Sequence, residues 1–475
     1  MGFIRGEDRQ QITMFPEAVD DYISGDNPVR FIDEFVRSLD LEKLGFKRAA
    51  ANELGRPGYD PGDMLRLYLY GYTNRIRSSR LLERETKRNV EVMWLLGKLS
   101  PDHKTIARFR AENPKGLRGV WREFTLLCKG LNLFGGELIG IDGSKFRAVN
   151  SKKNNYTKKK VENLIKWADG KIDRYLRELD ERDKQEEGIE NPTEEELNEK
   201  IRKLRERRKD FEAKKVAIEE SGAGQVSEID PDSRLMKTAE GGMNVCYNVQ
   251  IAVDSKHRLI VEQEVTNEIN DQKMLARIAK AAKETLGVSE LEVAADRGYY
   301  SGSEIRECED AGIRAYIEKP AIGGENGFFR KDQFRYDKDK DVYECPAGES
   351  LKRWGNNRRR NRNRTAYRTR ACGKCPLRNQ CTKSKWGRVI YRTGEDELMD
   401  RMAHRVRGAP EKVELRRTLV EHPFGTIKRW GQGYFLMKGQ PKSKGEMSLI
   451  ATGYNMKRVM NLLGVDGLRA ALTSS

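Results

Sequence analysis

Leu138-Ile139-Gly140-Ile141-Asp142-Gly143-Ser144 is the stretch on which the fold turns. A short apolar run ends in Asp and then Gly. That is the pattern of a buried strand delivering a carboxylate at its C-terminal end, where the backbone turns away. The pattern returns in Leu291-Glu292-Val293-Ala294-Ala295-Asp296-Arg297-Gly298-Tyr299. A third acidic stretch, Arg417-Thr418-Leu419-Val420-Glu421-His422-Pro423-Phe424-Gly425-Thr426-Ile427-Lys428, sits in a predicted helix. A lone Asp-Gly after a strand is usually a turn. Two such motifs in order, followed by a helical Glu-Lys pair, are much less easily accidental.

Between the two acidic strands the period changes twice. Asn150 to about Glu220 is highly charged, with Ile172, Leu176, Leu179, Leu197, Ile201 and Leu204 as a narrow apolar seam. It reads as two long helices joined by a turn over Glu187 to Thr193, a solvated arm. Tyr247 to Val253 and Leu259 to Val265 then alternate as a strand pair around the turn Asp254-Ser255-Lys256-His257. Asp271 caps a predicted helix through Leu275, Ile278 and Ala282 to Leu286. A helix from Ser303 and a strand Ile313 to Ile317 follow the second acidic strand. The C-terminal stretch Met447 to Leu463 is helical and apolar on one face.

Upstream, residues 1 to about 135 read as helical. Asp60-Pro61 is an N-cap with Pro at the first helical position, ahead of Met64, Leu65, Leu67, Tyr68 and Leu69. Val90 to Gly97, a polar turn and Ser100 to Arg110 have the layout of a helix-turn-helix. Lys104, Thr105, Arg108 and Arg110 would then face DNA. Core packing is the equally weighted alternative.

The charge balance points the same way. The chain of 475 residues carries 91 Lys+Arg against 74 Asp+Glu, a formal net charge of +17. A basic chain of this size suits a polyanionic partner, nucleic acid before membrane. No apolar run approaches the ~18–20 residues of a membrane span, and the N-terminus lacks a signal-peptide core. A cytoplasmic, reducing setting is expected, and seven cysteines, an odd number, fit thiols or metal ligands rather than a disulfide framework. Cys345, Cys372, Cys375 and Cys381 fall together before the Glu421 helix. Cys372-Gly373-Lys374-Cys375 is a CxxC knuckle, which the outer two could complete as a structural Zn²⁺ site; reduced structural thiols are the alternative. Arg358, Arg359, Arg360, Arg362 and Arg364 lie between these cysteines, placed to grip DNA phosphates.

Stripped of its insertions, the second half has the element order of an RNase H-like fold. In that fold the first and fourth strands are parallel neighbours, so Asp142 and Asp296 would emerge together. Three converging carboxylates make a hard-oxygen site for one or two Mg²⁺ ions, and paired metals drive phosphoryl transfer. The expected fold class is thus α/β: an RNase H-like core with a mixed five-stranded sheet (residues 136–320 and 396–463). To it are added an all-α N-terminal domain (1–135), a helical-hairpin insertion (150–225) and a Cys-rich, Arg-rich insertion (322–395).

On these residues the chain resembles the DDE transposases of bacterial insertion sequences, over most of its length. Asp296-Arg297-Gly298-Tyr299-Tyr300 matches the second-Asp signature of that group. Arg417, Glu421 and Lys428 match its third motif, with Glu414 where the group has Tyr. Asp230-Pro231-Asp232-Ser233-Arg234-Leu235, Tyr247 to Ala252, Leu82 to Glu85 and Asp102 to Ile106 resemble further stretches. The resemblance implies metal-dependent cleavage of element ends and strand transfer, with double-stranded DNA as partner and a homodimer to hold two ends. Asp142 and Asp296 would hold Mg²⁺ (or Mn²⁺), Glu421 would complete a second ion site, and Lys428 and Arg417 would contact phosphate. A structure-specific nuclease and a domesticated DNA-binding protein are the competing functions; the intact acids argue against the second.

Overall fold

A computed structural model describes residues 17–49, 58–182, 194–222, 224–239, 241–320, 328–359 and 362–473. The N-terminal part is helical: α1 (Pro28–Arg37), α2 (Pro61–Thr73), α3 (Ser79–Glu85), α4 (Val90–Leu95), α5 (His103–Glu112) and α6 (Pro114–Gly130). The caps fall where the sequence puts them. The Asp60 carboxylate accepts from Gly62 N at 2.6 Å, and Asp102 accepts from Lys104 N and Thr105 N at 2.8 and 3.1 Å.

The next elements alternate: β1 (Leu138–Arg147), β2 (Asn155–Thr157), α7 (Lys158–Arg182), α8 (Glu194–Ser221), β3 (Gln225–Ser227), β4 (Arg234–Lys237), β5 (Met243–Asp254) and β6 (Ile260–Thr266). They continue with α9 (Leu275–Leu286), β7 (Leu291–Ala295), α10 (Gly302–Asp310) and β8 (Ile313–Ile317). The main sheet is mixed. β1 pairs with β7 in parallel and with β5 antiparallel, and β7 pairs with β8 in parallel. It has six strands rather than the five expected, because β5 is twelve residues long. Its outer edge holds β4 along the first half and β6 along the second.

β2 and β3 form a small separate ladder at the root of the α7–α8 arm. Ile172, Ile201 and Leu204 form the arm's seam, with Tyr175 and Leu179 against it. Leu176 is exposed instead. The expected turn at Glu187 to Thr193 lies outside the described residues.

A second, antiparallel sheet follows: β9 (Arg335–Asp337), β10 (Val342–Glu344), β11 (Ser350–Arg359), β12 (Arg362–Arg368) and, after α11 (Arg378–Cys381), β13 (Ile390–Arg392). Phe334, Tyr343, Leu351, Tyr367 and Ile390 form its own small core. The chain ends in α12 (Asp396–Gly408), α13 (Pro410–Arg429) and α14 (Gln440–Thr473), the last broken at Gly464.

Two cores flank the main sheet. One face packs Ile139, Ile141, Val293 and Ala295 against α9, α10 and α12. The opposite face packs Phe146, Val249 and Ile251 in a core that also holds Leu419, Val420 and Phe424 of α13, much of α14, and the helices of the first 135 residues. The N-terminal helices therefore do not close a core of their own. Among the described residues no helix is long and apolar enough to cross a membrane.

Candidate active site

β1 does not end at its acid. It runs five residues past Asp142, against the expectation of a turn there. What ends is its parallel neighbour. Ile141 is paired with Ala295, the last residue of β7, so the same register sets Asp142 beside Asp296. Asp296 does sit at a strand end, where its Oδ1 accepts from Gly298 N at 2.8 Å in the turn that follows.

Two glycines on β1 make room for what surrounds the acid. A Cβ on Gly140 would stand 3.0 Å from Val420 Cγ1 and 3.3 Å from Leu419 Cβ, so its absence lets α13 lie directly on the strand. A Cβ on Gly143 would collide with Gln250 Nε2 and Asp271 Oδ1 at 2.3 and 2.8 Å. The Gly143 side chain is thus missing for a polar network rather than for a turn.

Asp271 is the centre of that network. Its Oδ1 accepts from Asn248 Nδ2 and Gln250 Nε2, both at 2.7 Å, and pairs with Lys145 Nζ at 3.4 Å. Tyr299, fully buried, donates to Gln250 Oε1. Asp271 does not cap α9 through its side chain; that helix starts at Leu275, with Met274 in the N-cap place.

Asp142 feels all of this. Burial pushes its carboxyl up to about 6. Arg416 opposes that shift, Asp296 adds to it, the Gly143 N–H opposes it, and Asp271 adds again. Arg416 Nη1 donates to Asp142 Oδ2 at 3.2 Å. Burial also pulls the Lys145 ammonium below its usual range, against the pull of Asp271.

α13 supplies the third acid. Glu421 follows Val420, the residue packed on Gly140, but its carboxylate is exposed and pairs with Arg417 Nε at 2.9 Å. Lys428 lies two turns on and is exposed. His422 turns inward to the Tyr454 hydroxyl at 2.9 Å, which removes it from the acid face. Among the described residues no group of three or more His, Cys, Asp or Glu side chains is gathered closely enough to hold a metal ion. Asp142 and Asp296 are thus brought together, and Glu421 stands on the adjoining helix with its exposed carboxylate held by Arg417.

The predicted DNA-facing residues separate. Lys104 and Arg108 are exposed on α5, and the Thr105 hydroxyl is occupied by the Asp102 cap at 2.8 Å. Arg110 is buried and cannot face DNA. It donates to the Tyr72 hydroxyl at 2.9 Å, lies over the Tyr68 ring, and approaches Glu446 at 3.8 Å. α5 packs chiefly on α3, where Glu83 accepts from His103 N and Nδ1 at 3.1 and 2.7 Å, so α4 and α5 are not the expected reading pair.

In the second sheet, Arg358 and Arg359 lie on β11 and Arg362 on β12, with Arg359 opposite Arg362 in the ladder. Arg364 lies over the Tyr391 ring, and Arg360 falls outside the described residues. Cys345, Cys372, Cys375 and Cys381 line one small cavity with Phe329, Leu351 and Arg388. Burial raises the Cys381 thiol, Arg388 opposes that, and the other three cysteines add to it. Cys128, Cys246 and Cys308 are buried, as expected of small apolar side chains.

Sequence reasoning missed Arg416, Asp271, Lys145 and Gln250. Arg416 stood in plain view beside Arg417, and a face count from Val420 back one turn would have found it. The others depend on the long-range pairing of β1 with β5, which no local pattern reports.

No curated protein matches the chain. Two family models do: residues 17–112 match a transposase domain, DUF772, and residues 344–460 match a transposase DDE domain. The first covers the helices from α1 to α5; the second runs from the second sheet through Glu421 into α14. Together these two matches support an insertion-sequence DDE transposase, an enzyme that cuts and rejoins DNA and whose DDE domain implies dependence on a divalent metal.

Proposed function

We propose that Asp142, Asp296 and Glu421 are the acidic triad of this transposase, acting at the ends of its element and in strand transfer. The observation that carries the reading is the β1–β7 register, which sets Asp142 beside Asp296 under the helix that bears Glu421. The strand order β6-β5-β1-β7-β8, with β1 between one antiparallel and one parallel neighbour, supports an RNase H-like core.

The donor set suits Mg²⁺. All three side chains offer hard oxygens, and the repulsion of Asp296 and Asp271 on Asp142 is relieved by added positive charge. Two ions, when bound, supply Lewis-acid charge at the attacking and leaving oxygens of the phosphodiester. Asp142 and Asp296 would hold Mg²⁺, and Glu421 would complete the second site. Glu421 must leave Arg417 to do so, a change within exposed side chains. Lys428 and the freed Arg417 then face the DNA backbone from α13. Gln250, Asn248 and Asp271 hold the floor beneath through their hydrogen bonds to one another.

We assign residues 1–135 to DNA-end recognition through the exposed Lys104 and Arg108, and the arginines of β11 and β12 to phosphate contact. The cavity shared by Cys345, Cys372, Cys375 and Cys381 is read as a structural zinc site in an insertion; the four thiols line one small space but would have to draw closer to hold the ion. Two element ends require a dimer on DNA. A cytoplasmic setting suits seven cysteines held as thiols. The test is end cleavage in Mg²⁺ by Asp142→Asn, Asp296→Asn and Glu421→Gln, with gel-shift binding measured beside it; substantial cleavage by any variant removes that residue from the site.

A further inference from the structure

Helix α13 carries two consecutive arginines, and each holds a different acid of the proposed triad. The two pairs differ in kind. Arg417 and Glu421 are neighbours on one helix, with side chains 74% and 61% exposed. Such a pair is screened by solvent and easily exchanged. Arg416 and Asp142 join helix to strand, with side chains 16% and 24% exposed.

The position of Arg416 is set by packing. Val420 lies one turn along the same helix face and rests on Gly140. Gly140 is two residues before Asp142, on the same face of β1. The contact that seats the helix on the strand therefore also hangs the guanidinium over the carboxylate. The guanidinium contacts one carboxylate oxygen of Asp142, the acid that would share an ion with Glu421.

A guanidinium has two good partners in this enzyme's reaction, carboxylate and phosphate, and its planar fork suits both. We propose that Arg416 is a positioning residue that acts as an internal counter-cation at Asp142, excluding divalent metal until a DNA phosphate draws it away. The inference rests on Asp142 being a metal ligand. It makes metal loading contingent on DNA, and it gives the free enzyme a neutralised, inactive site.

The experiment uses the full chain and Mn²⁺ as probe, titrated by calorimetry with and without a saturating mixed-sequence duplex. Wild type, Arg416→Gln, Arg416→Lys and Asp142→Asn are compared. An opposite charge at this range changes a carboxylate's preference for a cation by roughly tenfold or more. Without DNA, Arg416→Gln is expected to bind Mn²⁺ roughly tenfold more tightly than wild type, with Arg416→Lys between them. The duplex should tighten binding by wild type and leave Arg416→Gln unchanged. A gain in affinity is not what a loosened fold gives, and Arg416→Lys, which keeps the charge and the stem, carries the test if Arg416→Gln misfolds. Asp142-dependent binding that is equal in wild type and both Arg416 variants overturns the inference and leaves the metal site standing. Binding indifferent to Asp142→Asn overturns both.

Discussion

The Arg77 guanidinium donates to the Glu446 carboxylate at 3.0 Å, and both side chains are buried. Arg77 also donates to the carbonyls of Gly431 and Tyr434, at 3.1 and 2.6 Å, just beyond the Glu421 helix. The second oxygen of Glu446 accepts from Leu436 N and Met437 N at 2.9 and 3.1 Å. One ion pair thus fastens the N-terminal helices to the segment by which α13 leaves the proposed active site. Arg110 is the third member of the cluster.

Arg110→Ala is therefore expected to cost stability rather than sequence recognition. Removing the side chain takes away its buried hydrogen bond to the Tyr72 hydroxyl and the second of two guanidiniums beside Glu446, which Arg77 still pairs, at about 2 kcal/mol. Urea unfolding of the full chain should show that loss. Arg108→Ala should leave stability unchanged and weaken binding to element ends by roughly 1–3 kcal/mol, the worth of a base-edge contact. Equal weakening on end and random duplexes would show that α5 is not the sequence reader.

Replacement of any triad acid should reduce end cleavage in Mg²⁺ by about a thousandfold or more, since a missing metal ligand removes several kcal/mol of transition-state stabilisation. Duplex binding by gel shift should persist. Asp271→Asn is expected to act more mildly, because its amide can still accept from Asn248 or Gln250 while losing Lys145.

The metal-free protein should show a pH signature from Asp142. Its folded pKa of about 6 lies above the ordinary 3.8, so the folded state binds the proton more tightly than the unfolded one. The resulting stability is present at low pH and is lost as pH rises from about 4 through about 6, to a total of about 3 kcal/mol. In chelator, the stability of wild type relative to Asp142→Asn should fall across that window. A flat difference from pH 4 to 7 would mean that Asp142 binds its proton no more tightly in the folded state than in the unfolded one.

Protein purified without chelator should contain one zinc per chain, lost on replacing Cys372 and Cys375 by Ser. A content near zero in folded protein leaves the four residues as reduced structural thiols. Elemental analysis decides between the two.

Substituting the arginines of β11 and β12 should weaken binding to all duplexes alike. Every arginine–phosphate pairing that is removed should lower the slope of log affinity against log salt by about 0.9. A loss confined to element ends would instead place base readout on these strands.

Local grammar carried the reading of this chain as far as local physics reaches. The Asp60 and Asp102 caps, the β5–β6 hairpin and the strand around Leu291 announce themselves because caps, turns and apolar runs are decided within a few residues. The Asp142–Asp296 pairing followed from element order. Arg110 misled because an arginine in a polar-looking helix reads as exposed, while its partners Tyr72 and Glu446 lie 38 and 336 positions away in the sequence. The second sheet went unseen because β9, β10 and β13 have three residues each, too few to show a period. Asp142 looked like a strand end because Gly followed it; the reason for that Gly was a neighbour from β5.

The placement of α14 has a consequence for synthesis. Its side chains complete the core in which Phe31, Leu65 and Phe124 are buried, so helices emerging early from the ribosome wait some three hundred residues for their partner. Domains that fold as they emerge can act before translation ends. This one cannot close its shared core until α14 has emerged, so the proposed DNA-reading face on α5 would be assembled only once translation is nearly complete.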